Sequence, residues 1–405
     1  MSTPEMSSVT AARIGFVKSL ALLAVGLLPW PVDWDHVRDV IDSVRSPELN
    51  RAERQGQAYS YYEGLIGVRE GSDSSRGDPV HRLTSNPSGW VPFKQANVVQ
   101  YRDGEFLQFE LLPSVERTLF GQPFITNQFG MHDDPVDVEK SDGTFRIAVL
   151  GSSIEMGWGV KHQDTYINQL EEWLNMHSAR LGLTSPRRYE VLNFGVAAYS
   201  PMQRLEALRD KVLRFRPDLV IYSATTLDIR LMEIHLCDMM RKNVDLKYDF
   251  LHEMAELAAV ERDDLRVNSD GEMVNKARLK RKLRPFYWGL YDKTMEAIAA
   301  DCRVAGVPLV VAIIPRVGKS DLPPARAEPV ARLRAIAAHQ GLLVFDLSDT
   351  FDAFDPGEIE IAAWDDHPNA IGHHRLFLAL ARAMVKDQEI YRLLFRQNQV
   401  GPGAG

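Results

Sequence analysis

The stretch FRIAVLGSSIEMGWGV, residues 145–160, decides how the chain is read. An apolar run stops at Gly151, serines follow at 152 and 153, and glycines recur at 157 and 159. A nearly continuous apolar run is the pattern of a parallel strand covered on both faces. A serine just past such a strand has two uses. It caps the helix that follows, or it stands as a nucleophile at the mouth of the sheet.

Four more runs share this texture: YEVLNFG (189–195), DLVIYSA (218–224), VPLVVAIIP (307–315) and LLVFDL (342–347). Helical spacing of apolar residues falls over 166–180, 203–215, 325–340 and 370–387. Strand alternating with helix predicts a five-stranded parallel sheet between two helical layers, an α/β/α sandwich. Ligands of such sheets bind beyond the carboxyl ends of the strands. That rule gathers Gly151-Ser152-Ser153, Gly195, residues 223–228, Pro315-Arg316 and the loop before the last helix. Residues 230–290 read as a helical insertion at the same edge.

Upstream the texture differs. RIGFVKSLALLAVGLLPWPV (13–32) holds an apolar run over 20–30 behind Arg13 and Lys18. A basic flank before a hydrophobic run marks residues 1–35 as a membrane anchor; a cleaved signal peptide and a buried helix are the alternatives. In the membrane readings the bulk of the chain is exported to the cell envelope. Residues 36–140 form an N-terminal extension, helical to about 70, then a Gly/Ser/Pro-rich loop, then short strands such as FLQFELL (106–112). The sheet domain spans 141–390, and 391–405 is a tail.

Composition excludes several classes. The chain has 405 residues, 45% hydrophobic and 25% charged, with a net charge of −8, which speaks against a nucleic-acid partner. Its two cysteines form no metal motif or disulfide framework. No phosphate loop, dinucleotide fingerprint or metal-ligand cluster occurs, so no cofactor is implied.

A serine nucleophile needs a histidine base, a carboxylate to orient it, and donors for the oxyanion. Of eleven histidines, His367 stands apart. WDDHPNAIGHHRL (364–376) places it in a loop behind two acidic residues, with Pro368 fixing the turn and Asn369 placed to cap the next helix. His235 follows the third strand but has helical neighbours, and His373 and His374 lie inside the last helix. Arg316 ends the fourth strand, where it serves a substrate carboxylate or phosphate or a structural ion pair. The basic stretch NKARLKRKLRPFYWGLYD (275–292) reads as a solvated helix face, with anionic lipid or polysaccharide as its other use.

VLGSSIEMGWGV, VLNFGVAAYSP, PDLVIYSATTLDIR and WDDHPNAIGHHR together resemble the four blocks of the SGNH hydrolases, the GDSL-type esterases and lipases. The resemblance covers residues 141–390, and FITNQFGMHDDPVDVEKSDGTFRI (124–147) resembles the approach segment of bacterial members with an N-terminal extension. It implies a flavodoxin-like SGNH fold, Ser153 as nucleophile and His367 as base. It assigns the oxyanion hole to the N–H groups of Ser153 and Gly195. Three positions depart from the pattern. Ser152 replaces the Asp before the nucleophile, Leu227 stands where an oxyanion-binding Asn is expected, and Trp364 takes the place of the acid three residues before the histidine. Asp365 is therefore the orienting acid, and Thr225 or, preferably, Thr226 the substitute donor. The implied activity is hydrolysis of acyl or acetyl esters of a small molecule, carbohydrate or lipid. Acyl transfer to an envelope polysaccharide is the alternative within enzymes. A binding protein that kept the fold after losing the Asn is the alternative outside them.

Overall fold

A computed structural model describes residues 96–180, 187–269, 271, 273–318, 321, 323–362 and 365–395. The predicted anchor, the helix expected over 36–70 and the Gly/Ser/Pro loop lie outside these residues. Among the described residues no helix is long and apolar enough to cross a membrane.

Two antiparallel hairpins come first: β1 (Val99–Tyr101) with β2 (Phe109–Leu111), and β3 (Glu116–Leu119) with β4 (Gln122–Ile125). The strand expected over 106–112 is cut short because Gln108 adopts a left-handed backbone (φ 65°), which ends the extended run. Next is β5 (Thr144–Gly151), which leads into a one-turn helix, α1 (Ser153–Met156). The chain continues through α2 (Tyr166–Arg180), β6 (Arg188–Gly195), α3 (Pro201–Asp210) and β7 (Leu219–Ala224). Three helices fill the predicted insertion: α4 (Asp228–Arg241), α5 (Asp249–Leu257) and α6 (Lys276–Leu283). After α7 (Tyr287–Val304) come β8 (Leu309–Ile313), α8 (Pro323–His339) and β9 (Leu343–Asp346). The chain closes with α9 (Pro356–Ile359), β10 (Glu360–Ala362), β11 (Asp365–Pro368), α10 (Ala370–Lys386) and α11 (Gln388–Phe395). Residues 391–395, expected as tail, are the end of this last helix.

The main sheet has the order β6-β5-β7-β8-β9, and every pair is parallel. All five predicted strands form it. Pro308 and Pro315 flank β8, and lacking N–H groups they keep it to five residues. The helix expected over 203–215 starts earlier, at Pro201. The Ser200 hydroxyl accepts the Gln203 N–H at 3.2 Å, and a proline fits the first helical turn.

Alternation along the strands divides the core into two layers. Ala148, Leu150, Leu192, Phe194, Tyr222 and Ile313 face α3, α4, α7 and α8. Ile147, Val149, Val191, Ile221 and Ala312 face α2, α10 and α11. The extension joins the first layer, with Val98, Phe106, Phe109, Phe124 and Met131 buried in it. Polar side chains of the sheet domain reach its backbone. Tyr199 Oη donates to Phe109 O (2.7 Å) and Gln203 Nε2 to Leu107 O (2.8 Å). The basic stretch is largely spent inside the insertion: Arg278 and Lys282 pair with buried Asp264, and Lys280 with Glu233. Its solvated-face reading thus gives way to an internally paired face.

One ion pair is wholly interior. Arg204 on α3 donates from Nη2 to Asp228 Oδ1 (2.9 Å) and from Nη1 to Ser223 O (2.7 Å), tying α3 to the end of β7 and the start of α4. A buried charge that loses its partner costs about 3–5 kcal/mol. Arg204→Met should therefore lower the unfolding free energy by about that amount, and adding Asp228→Asn should recover part of it. Urea denaturation of the two variants measures both effects.

Candidate active site

The two serines of the opening stretch divide the labour. Ser152 is the N-cap of α1 and Ser153 its first helical residue. Gly157 closes this single turn in a left-handed conformation (φ 77°). So short a helix has little macrodipole, and what Ser153 offers an anion is its own N–H, which has no acceptor within the helix.

The turn rests on Glu155, whose side chain points back under the strand end and is fully buried. Its carboxylate accepts from Ser152 N–H (2.7 Å), Tyr166 Oη (3.0 Å) and Ser223 Oγ (2.6 Å). A Cβ on Gly151 would lie 2.0–2.3 Å from this side chain, and one on Gly195 would lie 2.4 Å from Met156 N. Both strands therefore have to end in glycine.

The histidine arrives from the far end of the chain. The loop expected around His367 is instead a small antiparallel pair, β10 with β11, with a bulge between them. Asn369 then caps α10, accepting from Ile371 N (2.9 Å) and Gly372 N (3.1 Å). His367 Nε2 lies 2.6 Å from Ser153 Oγ, and its Nδ1 lies 2.5 Å from Asp365 Oδ1. The second oxygen of Asp365 accepts the indole N–H of Trp158 at 3.3 Å. All four side chains are buried, with Ser153 and His367 each only 2% exposed.

A parallel sheet of this strand order, with a hydroxyl, an imidazole and a carboxylate in line at its carboxyl edge, agrees with the comparison to known families. Residues 149–375 match the GDSL-like lipase/acylhydrolase family, more than half of the chain. The chain belongs to that family. It is a serine hydrolase acting on ester bonds, with the α/β fold of the SGNH enzymes. Solved structures similar to it include LAE5, an α/β hydrolase from the metagenome of Lake Arreo, Spain. There the identity is 17% over 59% of this chain and 94% of that one, with a TM-score of 0.38. TesA is similar at 13% identity, over 60% and 98% of the two chains, with a TM-score of 0.37. A catalytic mutant of Axe2, an acetylxylan esterase from Geobacillus stearothermophilus, is similar at 16% identity, over 59% and 93%, with a TM-score of 0.36. No curated protein sequence matches the chain.

Most other positions singled out in the sequence have polar partners within the protein. Gly195 N–H is taken by Asn193 Oδ1 (2.9 Å), so this amide reaches a ligand only if the Asn193 amide turns away. The Thr226 hydroxyl donates to Asp321 Oδ1 (2.6 Å), so its proton too is committed within the protein. Thr225 is turned to Asp228 (3.1 Å). Leu227 begins α4 with no polar side-chain atom to offer. Arg316 is an ion-pair residue here: Nη1 donates to Asp366 Oδ2 at 2.6 Å, and its backbone N–H to Asp321 Oδ2 at 2.9 Å. His235 bonds Ser200 Oγ and Phe106 O, both at 2.9 Å, and burial pushes it down to about 4. Burial likewise pushes His373, stacked on Tyr166, down to about 3. These two are neutral structural imidazoles.

Sequence reasoning missed Glu155 and Trp158. The spacing Ser152-x-x-Glu155 is the capping-box pattern and was the available signal for the first. Nothing local marks Trp158, because its partner is 207 positions away.

In the His367–Asp365 pair, charge interactions oppose burial. Burial works against the His367 cation, but the charge and hydrogen bond of Asp365, with Asp366 behind them, outweigh it and hold the imidazole above the ordinary histidine value. Burial likewise works to raise Asp365, yet His367 and Trp158 hold its carboxyl below the usual carboxylate range. Arg316 opposes the rise at His367. Asp366 Oδ1 stands 3.9 Å from His367 Nδ1, so removing Arg316 takes away a cation that offsets that charge. The His367 Cε1–H resonance should titrate above the ordinary histidine range. In Arg316→Ala the midpoint should rise further, as NMR titration of both proteins will check.

Proposed function

We propose that the protein hydrolyses short-chain carboxylic esters through an acyl-enzyme on Ser153. The observation that carries this reading is the unbroken hydrogen-bonded line Ser153–His367–Asp365. Ser153 Oγ attacks the ester carbonyl while His367 Nε2 takes its proton. His367 Nδ1–H stays on Asp365, which fixes the tautomer and supports the imidazolium. The same proton passes to the departing alkoxide. Water, deprotonated by His367, then attacks the acyl carbonyl and releases the acid and free Ser153. Ser153 N–H is the first oxyanion donor, and Gly195 N–H joins it when Asn193 releases it.

The burial of Ser153, only 2% exposed, supports a small acyl group. An acetyl ester of a small molecule or a carbohydrate is the substrate class that fits. We also propose, from the apolar run at 20–30 behind Arg13 and Lys18, that the chain is held at a membrane of the cell envelope.

Three outcomes test these readings. Ser153→Ala should reduce p-nitrophenyl acetate hydrolysis to the buffer rate and abolish fluorophosphonate labelling, whereas Ser152→Ala should cost less, since Ser152 is held through its backbone. Labelling that survives in Ser153→Ala would sink the assignment. Leu227→Asn should raise kcat by up to about 10²-fold with KM nearly unchanged, because a restored donor acts mainly on the oxyanion. Full-length protein should sediment with membranes, and the pair Leu22→Lys and Leu27→Lys should release it; a soluble wild-type chain refutes the anchor.

A further inference from the structure

The tip of the hairpin β3–β4 breaks a local rule. Leu119 pairs with Gln122, so Phe120 and Gly121 alone make the turn, and both have positive φ, 52° and 75°. Two-residue turns of this kind favour Asn-Gly, because asparagine and glycine tolerate the left-handed region and bulky side chains do not. A phenylalanine held there points to work done by its ring. The Phe120 ring lies 5.3 Å from Trp158, edge to face at 71°. Trp158 is 1% exposed, and its backbone N–H bonds Ser153 O at 3.1 Å. Its indole N–H bonds Asp365, and its ring sits 6.3 Å from His367. A segment outside the sheet domain thus buttresses a residue that touches both the turn of Ser153 and the carboxylate of Asp365.

We propose that Phe120 is a positioning residue for the triad: the extension's hairpin seats Trp158 so that its indole N–H holds the second oxygen of Asp365. This rests on the triad reading above. Without the ring, Trp158 gains freedom, Asp365 loses a fixed donor, and His367 is less well aimed at Ser153. The extension is then part of the working enzyme rather than a spacer before it.

The decisive variant is Phe120→Asn, which gives the turn its preferred residue. It should leave the thermal midpoint within about 5 °C of wild type, yet lower kcat roughly 10-fold with KM unchanged, the signature of an interaction felt in the transition state. Phe120→Tyr should retain wild-type kcat. In a Trp158→Phe background, which keeps a ring but no N–H, Phe120→Asn should cost little more, because the path through the indole is already cut. In the Ser153→Ala protein, the downfield His367 Nδ1–H resonance should shift when Phe120→Asn is added. That measurement needs no turnover. If Ser153→Ala remains active, the triad reading fails. If Ser153→Ala is dead but Phe120→Asn changes neither kcat nor the resonance, this proposal alone fails. An equal loss in the Trp158→Phe background, or a fall in kcat that merely follows a midpoint lowered by more than about 5 °C, also overturns it.

Discussion

A carboxylate with no exposure to water organises this molecule. Glu155 lies beneath the turn that carries Ser153 and gathers donors from three places: the backbone of the turn, Ser223 at the end of β7 and Tyr166 at the start of α2. A buried polar group is tolerated only when it is hydrogen-bonded. The three donors are therefore fixed relative to one another, and Ser153 is fixed with them. The demand spreads outward. Gly151 and Gly195 have no side chain because Glu155 and the turn above it occupy that space. Ser223 in turn gives its carbonyl to Arg204, whose charge is balanced by Asp228. A polar network thus runs from α3 through the strand ends to the catalytic turn, inside an otherwise apolar sandwich.

Above this base the triad spans the chain. Ser153 and His367 are 214 residues apart, and the hydrogen bond between them joins the turn after β5, an inner strand of the sheet, to β11. Two acidic residues precede the histidine, and they part company. Asp365 turns inward to the imidazole, while Asp366 is taken by Arg316. Arg316 therefore offsets part of the second negative charge beside His367.

The segment before the sheet domain is held by the same core. Its apolar residues lie in one cluster with those of the sheet, and its backbone carbonyls receive Tyr199, Gln203 and His235. His132 from this segment bonds Met156 O at 2.7 Å, directly behind the catalytic turn. Contact of this kind makes residues 96–140 part of the enzyme's frame.

The sequence by itself determined the sheet, because unbroken apolar runs alternating with amphipathic helices leave few alternatives to a covered parallel sheet. Its resemblance to the SGNH blocks also singled out Ser153, Asp365 and His367, and the structure brings these three within hydrogen-bond reach. Local chemistry likewise announced the cap at Asn369 and a serine cap after β5, though not its partner Glu155. Only the tertiary structure decided what each polar group is paired with. Gly195 N–H and the Thr226 hydroxyl bond Asn193 and Asp321, and of the two uses open to Arg316 the structure shows the ion pair. Trp158 and Phe120 enter the site through partners far away in the chain. The physical reason is that a hydrogen bond or ring contact is settled by whichever partner folding brings within about 3–5 Å. Periodicity and composition carry no record of that distance.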